Sequence, residues 1–182
     1  MKIKLSNVRL AFPVLFEAKT VNGEGKPAFS ASFLLDPSDT QAKVLNQAIE
    51  QVAKEKWGAK ADVILKQMRA QDKTALHDGD LKANYDGFPG NLYVSARSAT
   101  RPLVIDADKT PLAEADGKPY AGCYVNASIE LWAQDNNYGK RINASLRGVQ
   151  FFRDGDAFAG GGVASDDEFD DMSEGSTADD LV

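Results

Sequence analysis

The chain has 182 residues, 43% of them hydrophobic and 26% charged, with a formal net charge of −6; this is the composition of a globular protein long enough for one domain with a sizeable core. No apolar run approaches the ~20 residues that cross a bilayer, and MKIKLSNVRLAF at the N-terminus lacks the apolar region and cleavage site of a signal peptide. The single cysteine, Cys123, excludes an internal disulfide and agrees with a reducing, cytoplasmic setting.

The first predicted strand is Lys2–Phe12. Ile3 and Leu5 share one face, and the phase then slips at Ser6-Asn7 to Val8, Leu10 and Phe12, as a β-bulge produces. Loop residues NGEGKP precede a second strand, Ala28–Leu35, with Phe29, Ala31, Phe33 and Leu35 on one face and Ser30 and Ser32 on the other. Asp36-Pro37-Ser38 ends that strand and opens a helix. Ser38 and Gln41 have capping-box spacing, Ala42, Leu45, Ile49, Val52 and Trp57 recur at helical steps, and Gly58 is placed to end it. A shorter helix is expected over 61–69, then a long polar loop over 71–91, a length that usually marks function or mobility.

Three further strand patterns follow. Leu92, Val94 and Ala96 alternate with Tyr93, Ser95 and Arg97. Cys123, Val125, Ala127, Ile129, Leu131 and Ala133 alternate with Tyr124, Asn126, Ser128, Glu130 and Trp132. Ile142, Ala144 and Leu146 alternate with Arg141, Asn143, Ser145 and Arg147, and Gly148 marks a second bulge. About five bulged strands with one inserted helix predict a mainly β domain, an OB-fold-type five-stranded barrel, over residues 1–159.

Residues 160–182 read as a glycine hinge and a disordered acidic tail. Ser165–Val182 carries eight acids and no base, which leaves 19 acids against 21 Lys and Arg in the rest, a body near +2. A polyanion on a mildly basic body imitates a nucleic-acid backbone and competes for the same groove; alternatively it serves solubility alone.

Tyr93, Tyr124 and Trp132 fall on polar strand faces among Arg97, Arg141 and Arg147. Rings in such places stack unpaired bases and the arginines meet phosphates; the bland alternative is a second small core under the helix or the long loop. Catalytic signals are weaker. His77 is the only histidine, Cys123 lies on an apolar face, and no nucleophile elbow or phosphate-binding Gly-Lys-Ser/Thr loop is present. Asp106-Ala107-Asp108 begins like a calcium loop, but Pro111 and Gly117 stand where the glycine and the bidentate glutamate belong. No metal site and no cofactor are therefore expected, and no enzymatic activity.

Three blocks carry a resemblance. They are Asp78-Gly79-Asp80 with Lys82, Gly87-Phe88, Gly90-Asn91, Tyr93-Val94-Ser95-Ala96-Arg97-Ser98 and Arg101-Pro102; Tyr120-Ala121-Gly122-Cys123-Tyr124-Val125-Asn126-Ala127; and Leu146 through Gly155. In this order, over about residues 1–160, the chain resembles tailed-phage single-stranded-DNA-binding proteins. The resemblance implies an OB-fold barrel, sequence-tolerant binding of single-stranded DNA, and an acidic C-terminal tail that engages replication or recombination proteins such as a polymerase, helicase or nuclease. Many such tails finish on an aromatic residue; this one ends Asp179-Asp180-Leu181-Val182, with Phe169 further in.

The DNA-contact candidates are Tyr93, Arg97, Arg101, Tyr124, Trp132, Lys140, Arg141 and Arg147, with Lys82 and Phe88 from the long loop. The partner-binding candidates are Asp166, Asp167, Glu168, Phe169, Asp170, Asp171, Asp179 and Asp180. Two rivals stay open: an acidic adaptor or virion-structural protein with no nucleic-acid site, and a metal-dependent nuclease using Asp78, Asp80 and Asp86. No membrane partner is expected, and a homodimer is left open.

Overall fold

In the computed structural model, residues 1–21, 23–158 and 172 are described. The expected hinge and acidic tail thus lie outside the described residues apart from Met172.

Among the described residues seven strands form one sheet in the order β3-β4-β2-β1-β6-β7-β5, and a further pairing of β4 with β7 closes five of them, β1, β2, β4, β7 and β6, into a barrel. The strands are β1 (Lys2–Val21), β2 (Glu24–Leu35), β3 (Leu76–Asp78), β4 (Leu92–Ser98), β5 (Leu103–Ile105), β6 (Tyr124–Asn136) and β7 (Gly139–Arg153). All barrel pairs are antiparallel except the closing one, where Arg97 lies parallel to Ser145. This is the OB-type barrel expected from the alternation. Val125, Ala127, Ile129 and Leu131 of β6 and Ile142, Ala144 and Leu146 of β7 are all buried, so each strand's apolar parity points inward.

β1 runs nine residues beyond its predicted end, because bulges after Ala11 and Val14 reset the alternation that pattern reading follows. The bulge expected at Ser6-Asn7 lies between Leu5 and Val8, with Asn7 in the left-handed region (φ 52°) that Asn tolerates. The second is present beside Gly148, where the β6–β7 register shifts. β3 and β5 are three residues each, too short to show a period.

Helix α1 (Thr40–Trp57) and helix α2 (Ala61–Ala70) connect β2 to β3 and share the barrel's core. The cap of α1 differs from the expected one. Asp39, not Ser38, accepts from the Gln41 amide, and Ser38 instead donates its hydroxyl to Asp36. A carboxylate beside the positive end of the helix is the stronger acceptor. Gln41 is thereby free to bond both the amide and the carbonyl of Ser6, tying α1 to the first bulge. Gly58 ends α1 with φ 57°, as expected. Among the described residues no helix is long and apolar enough to cross a membrane.

Candidate nucleic-acid interface

Strand register sorts the outward side chains into rungs around the barrel. One rung runs Tyr124–Arg9–Leu34–Tyr93–His77 across β6, β1, β2, β4 and β3. The next is Ala11–Ser32–Ser95. A third runs Val14–Ser30–Arg97–Ser145–Glu130–Lys2 and crosses the closing seam.

The first rung is closed over. Tyr93 is 4% exposed and Phe88 1%, in a second small core with Ala11 and Leu34. The expectation that Tyr93 faces solvent is corrected here: the loop 79–91 folds down across β2 and β4, buries its own Phe88 and covers the Tyr93 ring. His77 stacks on Tyr93 at 4.8 Å, and the Lys82 ammonium sits 5.2 Å from the Tyr93 centroid. Burial, aided by the nearby Asp72 charge, raises the Tyr93 phenol above its ordinary pKa. Asp78 and Asp80 shape this loop: Asp78 accepts from the Asp80 amide, and Asp80 from the Gly90 amide. Among the described residues no group of three His, Cys, Asp or Glu is arranged to hold a metal ion.

At the other end of that rung, Tyr124 lies under two guanidinium groups, Arg153 at 3.8 Å and Arg9 at 5.7 Å from its centroid. Arg9 also donates to the carbonyls of Gly122 (3.0 Å) and Asp156 (2.7 Å) and stands 4.3 Å from the Phe158 ring. Residues 154–158 form a strap held by these bonds, by the Phe158 amide on Ala121 and by the Tyr120 hydroxyl on Asp154. Tyr124 is thus half-buried in its own polar packing, about 26 Å along β6 from Trp132, eight residues on. Cys123, beside it, is fully buried, and burial pushes its thiol up to about 11, which leaves it inert at neutral pH.

The third rung is open. Arg97 is exposed at the seam, and Ser145 is flanked along β7 by Asn143 and Arg147. Trp132, 45% exposed, pairs across with Asn143, and Arg141 pairs with Gln134 one rung further. Lys140 and the exposed Tyr138 lie at the β6–β7 hairpin. Arg101 follows β4, its guanidinium 5.8 Å from the Phe16 ring. Of the three arginines expected on one face, Arg147 is the one held by a carboxylate: it donates to Glu130 at 2.7 Å and keeps that carboxyl below its usual range, while Arg97 donates to the Lys26 carbonyl at 3.3 Å.

Two residues that sequence reading did not nominate, Phe12 and Tyr85, add exposed rings beside this face. Alternation with Val8 and Leu10 places Phe12 on the inward face of β1; Pro13 and the phase change to buried Leu15 argue against that.

In OB-type barrels the second- and third-strand face, with the loops joining strands one to two and four to five, is the surface that receives oligonucleotides. Here it comprises β2, β4, the β1–β2 turn and the β6–β7 hairpin, and it bears Ser30, Ser95, Arg97 and Lys140. Cations beside half-exposed rings on such a surface neutralise phosphates and stack bases without selecting sequence.

A family model described as the ssDNA-binding protein of Enterobacter phage Enc34 matches residues 1–182. Protein p50 of Acyrthosiphon pisum secondary endosymbiont phage 1 is 53% identical over 176 residues, 95% of each chain. The solved structure of the single-stranded DNA-binding protein from bacteriophage Enc34 in complex with ssDNA is 31% identical, with a TM-score of 0.73 over 86% of this chain and 88% of that one. The single-stranded DNA binding protein gp2.5 encoded by bacteriophage T7 shares the fold, at 14% identity and a TM-score of 0.58 over 93% of this chain and 95% of that one.

Proposed function

The chain belongs to the family of the Enterobacter phage Enc34 ssDNA-binding protein, and from that premise we propose that it coats and protects unpaired DNA during phage replication, recombination or repair, in the host cytoplasm. It binds single-stranded DNA with tolerance of sequence and without catalysis. The observation that carries the reading is the open rung at the barrel seam. There Arg97, with Arg101 and Arg141 nearby, offers charge to the backbone, and Trp132 offers a ring to a base.

The acidic tail competes with DNA for this surface and, once displaced, recruits a polymerase, helicase or nuclease through Asp166–Asp171, Phe169 and Asp179-Asp180. Its starting point supports the reading. Phe158 packs at Gly87 and Leu34, on the loop that covers the first rung, two rungs from the open one. The 24 residues that follow span up to ~80 Å when extended, ample to cross the barrel.

Titration of labelled single- and double-stranded oligonucleotides at two salt concentrations tests the reading. Single strands are expected to bind far more tightly than duplexes, with log affinity falling ~0.7 per log unit of salt for each phosphate neutralised. Equal affinity for both forms, or no dependence on salt, overturns it.

A further inference from the structure

Phe12 occupies the left-handed region, φ 49°, which a bulky residue enters only under backbone strain. It sits in the bulge between Ala11 and Val14, where β1 loses register with β2 and the residues between are thrown out of the ladder. The result is a ring 43% exposed, against Tyr85 of the long loop at 44%. The two rings meet edge to face, 4.9 Å apart and at 88°.

Beneath them Phe88 lies 5.7 Å from Phe12 and 5.1 Å from Tyr93, so the pair stands on a buried aromatic base. With the pair in place Phe88 and Tyr93 are 1% and 4% exposed, while Phe12 and Tyr85 themselves stay 43% and 44% exposed, more outward ring surface than covering that base requires. Strained backbone that holds a ring out in solvent marks a place where the ring has something to bind.

We propose that Phe12 and Tyr85 form a base-stacking platform that receives an unpaired nucleobase at the edge of the open face. The inference rests on the single-strand-binding reading above and locates a subsite within it. Continuity with the face supports this occupant. The adjoining rung is Ala11–Ser32–Ser95, with Ser95 exposed, and the next carries Arg97. Lys82, three residues from Tyr85, supplies a cation on the same loop. A perpendicular ring pair offers one face to a base and supports it with the neighbouring edge, a geometry indifferent to base identity.

The test uses the full chain, a labelled oligothymidylate and a series of salt concentrations. Phe12→Leu and Tyr85→Leu keep apolar bulk and remove the ring. Each is expected to weaken binding by about tenfold, with the slope of log affinity against log salt unchanged, because no charge is lost. Phe12→Tyr is expected to bind like the parent.

If the leucine variants bind like the parent while Arg97→Ala binds worse, the platform is overturned and the single-strand reading stands. If the unaltered protein fails to bind the oligothymidylate, the reading itself falls. Photo-crosslinking of the unaltered protein to a 5-iodouracil oligonucleotide does not depend on how any variant folds. Adducts at Phe12 or Tyr85 are expected, and adducts confined to other residues overturn the platform.

Discussion

The two ends of β6 carry the same chemistry, an aromatic ring near arginines on the outward face, and use it in opposite ways. At Tyr124 the chemistry is turned inward: Arg153 and Arg9 lie over the ring, and Arg9 also donates to the Gly122 and Asp156 carbonyls. At Trp132 it is left open: the ring is 45% exposed, near a seam where Arg97 is exposed. An alternating ring-and-arginine pattern therefore says which face the side chains share. Whether they bind a ligand depends on what else reaches that face, here the strap of residues 154–158 and the loop 79–91.

The sharpest way to break the closed end is through Gly122. It has φ +103°, and a Cβ there would meet the Asp156 carbonyl oxygen in the strap. Gly122→Ala is expected to destabilise the protein by about 3 kcal/mol, from overpacking against fixed backbone plus the left-handed conformation. Denaturant unfolding measures it, and parental stability would mean that the strap is not held as described.

The open end is tested by ring removal. Trp132→Ala should cost roughly 1–3 kcal/mol of oligonucleotide binding with little loss of stability. Tyr124→Ala should do the reverse, losing stability and leaving affinity nearly intact. Binding isotherms and thermal unfolding of both variants decide this, and equal losses of affinity would erase the contrast between the ends.

A smaller effect is expected from the tail. Truncation after Ala164 removes all eight acids of Ser165–Val182 and should tighten binding several-fold at low salt, with the gain shrinking as salt screens the competition. No gain at low salt leaves the tail a solubility device.

Much of the barrel was legible because β6 and β7 hold strict alternation, Val125 to Leu131 and Ile142 to Leu146, and a period of two has one physical meaning when one face is buried. The bulge at Ser6-Asn7 was legible because it shifts the phase of β1, and the one beside Gly148 because a glycine breaks the strand pattern there. β3 and β5 were not, since three residues cannot display a period, and β1 beyond Phe12 was lost where further bulges interrupt it.

At the site, parity correctly put Tyr93 outside the barrel wall but carried no information about the loop that buries it. It likewise could not show that Glu130 would take Arg147. Phe12 was hidden for a related reason: its alternation placed it inside, while its backbone turns it out. The cap of α1 was misread by one residue because Ser38, Asp39 and Gln41 offer overlapping cap patterns that only the bond to Asp36 separates.

The central claim is that single-stranded DNA lies across the β4–β7 seam and not over the Tyr124 end. Arg97→Ala and Arg153→Ala, titrated with the same oligonucleotide over a range of salt, test it most directly. Both remove one positive charge from an outward position, so a general electrostatic effect would move both alike. Loss of affinity in Arg97→Ala, with its salt slope smaller by ~0.7 for the phosphate contact removed, and a parental slope in Arg153→Ala, is the predicted result. A parental affinity and slope in Arg97→Ala, with the loss appearing in Arg153→Ala, would contradict it.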